Sequence, residues 1–239
     1  MAHLEAVALV DLERFYRAYY APNNAVLVLA GDLDPAPTLA TIAHYYGPLA
    51  PQSILPRATV VEPAQEAERF ERLVRPVAAT QMVIGYRALE QAHPDFAALE
   101  MLSDILVGGD SARLYRRLVI EERLALDVDG MAPPFVDPGL YQLSLTLQEG
   151  ATVERVLALV QEELDGVARG LTADEIEKAR NSLELGSLDS WRDVESCAEA
   201  LGHYETNDRD YRKAFAALER YRHVDEPALR RVAATVFQA

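Results

Sequence analysis

The stretch from Thr80 to Leu126 limits the possible folds more than any other part of the chain. It reads TQMVIGYRALEQAHPDFAALEMLSDILVGGDSARLYRRLVIEERLAL. Gln81, Val83 and Gly85 alternate with Met82, Ile84 and Tyr86, the period of two that marks a pleated strand with two unlike faces. Pro94, after His93, suits the first turn of a helix, where its missing N–H has no partner to lose. Phe96, Leu99, Met101, Leu102, Ile105 and Leu106 then recur at helical spacing. Gly108-Gly109 ends that helix, and Ser111 is placed to cap another carrying Leu114, Leu118 and Val119. The expected fold class is α+β: an antiparallel or mixed sheet packed on one side by long helices.

Upstream, Leu12, Phe15, Tyr16 and Tyr19 form one apolar helical face, with Asp11 as the expected N-cap. Pro22-Asn23-Asn24 breaks that helix. Ala25 to Ala30 is an apolar run of strand length. Pro35 to Tyr46 reads as a helix with Leu39, Ile42, Ala43 and Tyr46 inside, closed by Gly47-Pro48. Pro48, Pro51, Pro56 and Pro63 stiffen the next segment into an extended linker. A domain boundary is therefore expected there: residues 1–50 are the helix–strand–helix remnant of one domain, 51–66 a linker, and 67–239 a second domain. Phe70–Arg75, Thr80–Arg87, Ala125–Met131 and Leu140–Leu147 read as strands. Asp137-Pro138-Gly139 supplies the turn before the last of them. The rest reads as helix. Thr152 to Arg169 is one; Thr172 with Glu175 opens a long one through a capping box. Gly202 is expected to end the helical stretch after Trp191. Arg209 to Tyr221 and a last helix from Asp225, with Pro227 in its first turn, complete the chain.

Charge excludes some partners. Asp and Glu number 38 against 23 Lys and Arg, a formal charge of −15. No nucleic acid or anionic membrane is expected to bind such a chain as a whole. The imbalance favours solubility, or basic peptides as ligands. No apolar run approaches the length of a membrane span. Met1–Glu5 lacks the basic start and apolar core of a secretory signal, and the compartment stays unread. Cys197, the only cysteine, allows no internal disulfide and no thiolate metal cluster, and is expected to be a half-buried apolar group.

The strand QMVIGYR, the helix after HPD, the GGDSARLYRRL segment and the run into LAL together resemble the second domain of the M16 zinc metallopeptidases, the insulinase, pitrilysin and mitochondrial processing peptidase group. DLERFYRAYYAPNNAVLVLAGDLDP, Asp11 to Pro35, resembles the end of that family's first domain. The resemblance implies a zinc-dependent peptidase built from repeated α+β domains around a chamber. It also implies what partners this chain would have: an N-terminal catalytic domain of the same protein, a second M16-type subunit, and a peptide substrate. Duplication has a trace within the chain. Setting Leu229 on Leu12 places Val232 on Phe15, Val236 on Tyr19 and Phe237 on Tyr20, an offset of 217. The chain is expected to begin inside one domain and stop just short of the end of the next.

The family's catalytic pattern is His-x-x-Glu-His on one helix, so that two imidazoles four apart face one Zn²⁺ and the glutamate between them deprotonates its water. The five histidines here are His3, His44, His93, His203 and His223, and no two are three to five apart. His93 reads as a loop or capping residue and His44 as partly buried. The helix from Asp95 to Leu106 would correspond to the zinc-binding helix of the first domain, yet it offers only Glu100 and Asp104, which read as a solvated acidic face. In zinc-free halves of the family, an Arg and a Tyr seven residues later help hold substrate. The match to LVIEERLALDV puts Val119 and Leu126 there, and neither can donate the needed hydrogen bond. Tyr115, Arg116 and Arg117 are near in sequence but out of register. Gly108-Gly109-Asp110-Ser111 lacks the lysine of a phosphate loop, and Gly-x-Ser-x-Gly is absent.

No catalytic, substrate-binding or metal-ligating residue is therefore assigned, and no cofactor is expected in these residues, with Zn²⁺ expected in the longer protein. Whether the chain counts as part of an enzyme is left open. The first reading is a non-catalytic C-terminal domain that walls a peptide chamber and docks a partner. The second is a scaffold or peptide-binding module of an inactive homologue. A third is an unrelated acidic α+β domain. The Ala25–Ala30 strand, without its sheet neighbours, is expected to pair with another copy or with the remaining domain.

Overall fold

The computed structural model describes residues 2–56 and 62–237. Its sheet has three antiparallel strands: β1 (Gln81–Arg87), β2 (Ala125–Met131) and β3 (Leu140–Leu147), in the order β1-β3-β2. Met82 lies opposite Leu145, Ile84 opposite Leu143 and Tyr86 opposite Tyr141. That register puts the large apolar side chains on one face, as the alternation requires. The other face is open, with Val83 65% exposed. A register shift between Ala125 and Asp127 turns both Leu126 and Asp127 outward before Val128 re-enters the core.

The inner face is covered by α4 (Phe96–Val107), whose Phe96, Leu99, Met101, Leu102, Ile105 and Leu106 are buried. A helix apolar nearly all round must be enclosed, and α4 is. On its remaining sides lie α7 (Ala173–Asp189), α9 (Ala217–Arg222) and α10 (Glu226–Val236). α10 packs in turn on α6 (Val153–Arg169). At the end of α10, Phe237 meets Tyr86 and Tyr141 edge-on, at centroid distances of 5.4 and 5.2 Å, and so ties the last helix to the sheet. Between α4 and β2 comes α5 (Arg113–Tyr115), which widens into a π-helical turn over Arg116–Glu121. α8 (Val194–Asp208) completes the helical layer. Arg113 donates from Nε and Nη2 to the carboxylate of Glu175, at 2.6 and 2.9 Å, and from Nη2 to Gly170 O at 3.2 Å. It thereby fastens α5 to the turn between α6 and α7.

The expected Thr172–Glu175 capping box is in place, and Thr152 and Asp225, the expected starts of two further helices, cap α6 and α10 with their side chains. Others differ. Ala8, without a capping side chain, stands at the N-cap of the helix Leu9–Tyr19, and Asp11 lies one turn in, accepting from Ala8 N at 3.2 Å. Ser111 is not the cap: Ala112 holds the N-cap position of α5, and the Ser111 hydroxyl accepts from Lys178 Nζ at 2.6 Å. Gly202 lies inside α8, which runs on to a left-handed Arg209, φ 57°. The helix expected over Arg209–Tyr221 is a 3-10 segment, Tyr211–Ala216, followed by α9.

The N-terminal part is far more exposed than this core, although Val28 comes up to Gly202 of α8. It holds α1 (Ala2–Glu5), α2 (Leu9–Tyr19) and α3 (Pro35–Tyr46). Within residues 4–56 only Ala21 is buried. Leu39 and Tyr46, expected inside, are 64% and 54% exposed, and His44 is exposed as well. Ala25–Ala30 and Phe70–Arg75, both expected as strands, run without a ladder partner among the described residues. Each has an apolar pattern, but a strand also needs a neighbour to take its N–H and C=O groups. Two ties hold the proline-rich segment: Asn23 and the Gln52 backbone exchange two hydrogen bonds of 3.0 Å, and Arg87 of β1 donates to Glu62 O at 2.8 Å and to Pro63 O at 3.3 Å. Residues 57–61 of the linker lie outside the described residues.

Candidate functional site

Glu100 and Asp104, one turn apart on α4, are half-buried against α7 and α9 rather than solvated. Glu100 Oε2 accepts from the Tyr221 hydroxyl at 3.1 Å and lies 3.7 Å from Arg220 Nη2. Burial pushes its pKa up, against the opposing pull of Arg220 and the Tyr221 hydrogen bond. Asp104 Oδ1 accepts from the Ser182 hydroxyl at 2.9 Å, while its Oδ2 is buried without a partner. Its pKa is raised too, by burial, against Ser182 and Lys178. Beside them, burial raises the Tyr204 hydroxyl. A cavity of about 510 Å³ opens between α7, α8 and α9, lined by Ser182, Gly186, Trp191, Tyr204, Arg220 and Tyr221 among others. Trp191 stacks on Phe215 with centroids 4.8 Å apart.

Helical spacing shows which residues share a face, not what covers it, and so the acidic pair reads as solvated from sequence. The cover comes from Arg220 and Tyr221, some 120 residues downstream, and no local signal announces them. Another feature without a sequence signal is Gln91, buried, whose Oε1 meets His203 Nε2 at 3.0 Å and Asn207 Nδ2 at 3.2 Å. It joins the loop before α4 to α8.

Each described imidazole is engaged away from the carboxylate pair. His93 Nδ1 accepts the Asp95 N–H at 3.1 Å, the capping use its place beside Pro94 favours. His223 Nδ1 meets Glu219 O at 2.7 Å, and His44 stands edge-on to Tyr45. His203 serves Gln91. Among the described residues, no three His, Cys, Asp or Glu side chains converge as a metal site would need. The donors on α4 do not make a zinc site: Glu100 is taken by Tyr221 and Arg220, Asp104 has only Oδ2 unengaged, and neither has an imidazole beside it. Val119 packs against the core and Leu126 is 52% exposed, and neither aliphatic side chain carries a hydrogen-bond donor. Arg116 pairs with Glu121 at 2.8 Å and Arg117 with Glu122 at 3.3 Å. Gly108-Gly109-Asp110-Ser111 is the turn joining α4 to α5. Among the described residues no helix is long and apolar enough to cross a membrane.

Comparisons with known proteins bear on the family. Residues 7–183 match the family model described as the peptidase M16 inactive domain. An uncharacterised zinc protease of Streptomyces coelicolor is 28% identical over 84% of this chain and 45% of its own length. The Helicobacter pylori zinc protease PqqE is 23% identical over 81% of this chain and 45% of its own. The chain thus spans about half the length of the curated relatives it matches. Among solved structures, a protease from Helicobacter pylori superposes with a TM-score of 0.89 at 20% identity, over 100% of this chain and 58% of that one. A peptidase M16 inactive domain from Pseudomonas fluorescens does so with a TM-score of 0.83 at 20% identity, over 98% of this chain and 56% of that one. These two likenesses concern the fold, and the matched family model carries the assignment: the chain belongs to the M16 peptidase family, as its inactive domain.

Proposed function

We propose that this chain is the non-catalytic C-terminal domain of a zinc metalloendopeptidase subunit, where it walls the peptide chamber and docks a second M16-type subunit. Its division follows the proline-rich segment: residues 1–50 end the first domain, 51–66 link, and 67–239 form the second domain. Zn²⁺ belongs to the catalytic domain of the longer protein. The supporting observation is α4. The M16 plan puts the metal-bearing helix of a catalytic domain at this place, and here the helix is filled by apolar side chains with two carboxylates turned into polar contacts.

What this domain contributes is then shape and surface. The acidic balance, −15 overall, would favour basic peptides in a shared chamber. The test is direct. The purified chain, incubated with Zn²⁺ and unstructured peptides, should show no turnover. Peptide cleavage abolished by a chelator would overturn the proposal. The longer polypeptide under the same conditions should cleave, and its inactivity would favour a scaffold role instead.

A further inference from the structure

The offset of 217 that aligns the apolar residues of α2 and α10 also aligns the helices themselves: α2 is Leu9–Tyr19 and α10 is Glu226–Val236. Equivalent positions differ in one respect. In α10, Leu229, Val232, Ala233, Val236 and the following Phe237 are all buried, at 0–6% exposure. Their counterparts Leu12, Phe15, Tyr16 and Tyr20 are 57–65% exposed, and Tyr19 is half-exposed. The same face is thus covered in one helix and bare in the other.

A polar anchor repeats as well. Arg231, on α10, donates from Nη2 to Asp95 Oδ1 at 2.6 Å and from Nε to Oδ2 at 3.4 Å, gripping the N-cap residue of α4. Its counterpart at the same offset is Arg14. Among the described residues Arg14 reaches only Asp11, at 3.5 Å on an exposed surface.

We infer that α2 is the α10 of a preceding domain, and that its bare face docks on the helix of that domain equivalent to α4, with Arg14 gripping a carboxylate at that helix's N-terminal end. The inference rests on the reading that an M16-like domain precedes this one. It adds the surface, the anchor and the chemistry of the occupant. The occupant must also differ from α4 in shape. Phe15 stands where α10 has Val232, Tyr16 where it has Ala233, and Tyr19 where it has Val236. Close packing then requires smaller side chains opposite these three than α4 and α6 offer to α10.

Hydrogen exchange of the α2 amides tests the docking in the 239-residue chain and in the longer polypeptide that contains it. In the chain alone, Leu9–Tyr19 should exchange near the rate of an unfolded peptide. In the longer polypeptide these amides should be protected by about a hundredfold or more. There, Phe15→Ala should remove most of that protection, Arg14→Ala about fivefold of it, and Arg14→Lys less. In the chain alone, where Phe15 is exposed, neither substitution should move the melting temperature.

Equal protection in both contexts, or protection indifferent to Phe15 and Arg14, would overturn the inference. So would protection in the chain alone that rises with concentration, because a second copy would then be the occupant. Failure of the wider reading looks different: the longer polypeptide would lack chelator-sensitive peptidase activity while the α2 amides stayed protected.

Discussion

Breaking the Arg113–Glu175 pair should cost the domain about 2 kcal/mol at neutral pH. Glu175 receives both nitrogens of the Arg113 fork and also closes the Thr172 capping box, accepting from Thr172 N at 2.8 Å. These bonds, Arg113 foremost, hold its pKa down from the ordinary 4.5 to about 2. At full strength that difference corresponds to about 3 kcal/mol. The side chains remain 20% and 28% exposed, and solvent screening reduces the figure to about 1.5–2 kcal/mol. The sign comes from proton binding: a carboxyl lowered in the folded state stabilises above its unfolded value and loses that stabilisation as pH falls towards the folded value. Denaturant unfolding of the wild type, Arg113→Ala, Glu175→Gln and the double variant, from pH 7 down to pH 2, measures this. Each single variant should lose about 2 kcal/mol at pH 7, equivalent to about 4–8 °C in Tm. The coupling should be about 1–2 kcal/mol, and the wild-type advantage should fade between pH 4.5 and 2. A coupling below about 0.3 kcal/mol, or an advantage that does not change with pH, would refute the reasoning.

Glu100 works in the opposite direction. Its raised pKa means that stability falls as pH rises from the ordinary 4.5 through the raised value. Glu100→Gln should therefore be at least as stable as wild type at pH 7 and indistinguishable from it at pH 4, as read by thermal melts. A methyl group at Gly130 would lie 2.8 Å from both Leu143 Cδ2 and the Tyr141 hydroxyl; Gly130→Ala should cost about 1–3 kcal/mol, seen as a lower denaturation midpoint at unchanged slope. Leu229→Ala should cost about 2–5 kcal/mol, its side chain being fully buried. Leu12→Ala, at the equivalent position of α2, should change the stability of this chain by less than about 0.5 kcal/mol.

The features legible in the sequence are those that depend on near neighbours. The alternation in Gln81–Tyr86, the apolar spacing from Phe96 to Leu106 and the Thr172–Glu175 box are local patterns, and each forms the element expected. Ala25–Ala30 and Phe70–Arg75 do not, because a strand is completed by a partner, and side-chain pattern does not name one. Gly202 reads as a helix end, although a glycine costs a helix only about 1 kcal/mol and α8 absorbs it. A Cβ there would make only an ordinary contact, 3.5 Å from Val28 Cγ2, so packing does not demand the glycine either. The end of that helix, a left-handed Arg209, carries no glycine to signal it. Ser111 reads as a cap because Lys178, which takes its hydroxyl, belongs to another helix. At α4, the missing imidazoles are visible in the sequence. The inward turn of Glu100 and Asp104 is not, because their partners come from α7 and α9.

The two borders of the sheet are unequally guarded against misassembly. The outer border of β2 carries Asp127 and Asp129, both exposed, and a second such strand laid alongside would set like charges together. β1 presents Gln81 to Tyr86 with no charge before Arg87, and with Val83 open to solvent. Its outer edge is unpaired among the described residues, and uncharged backbone left so templates fibril growth. If the domain is stressed by heat or truncation, runaway strand addition should therefore start at β1, while the aspartates of β2 act as gatekeepers on the far side.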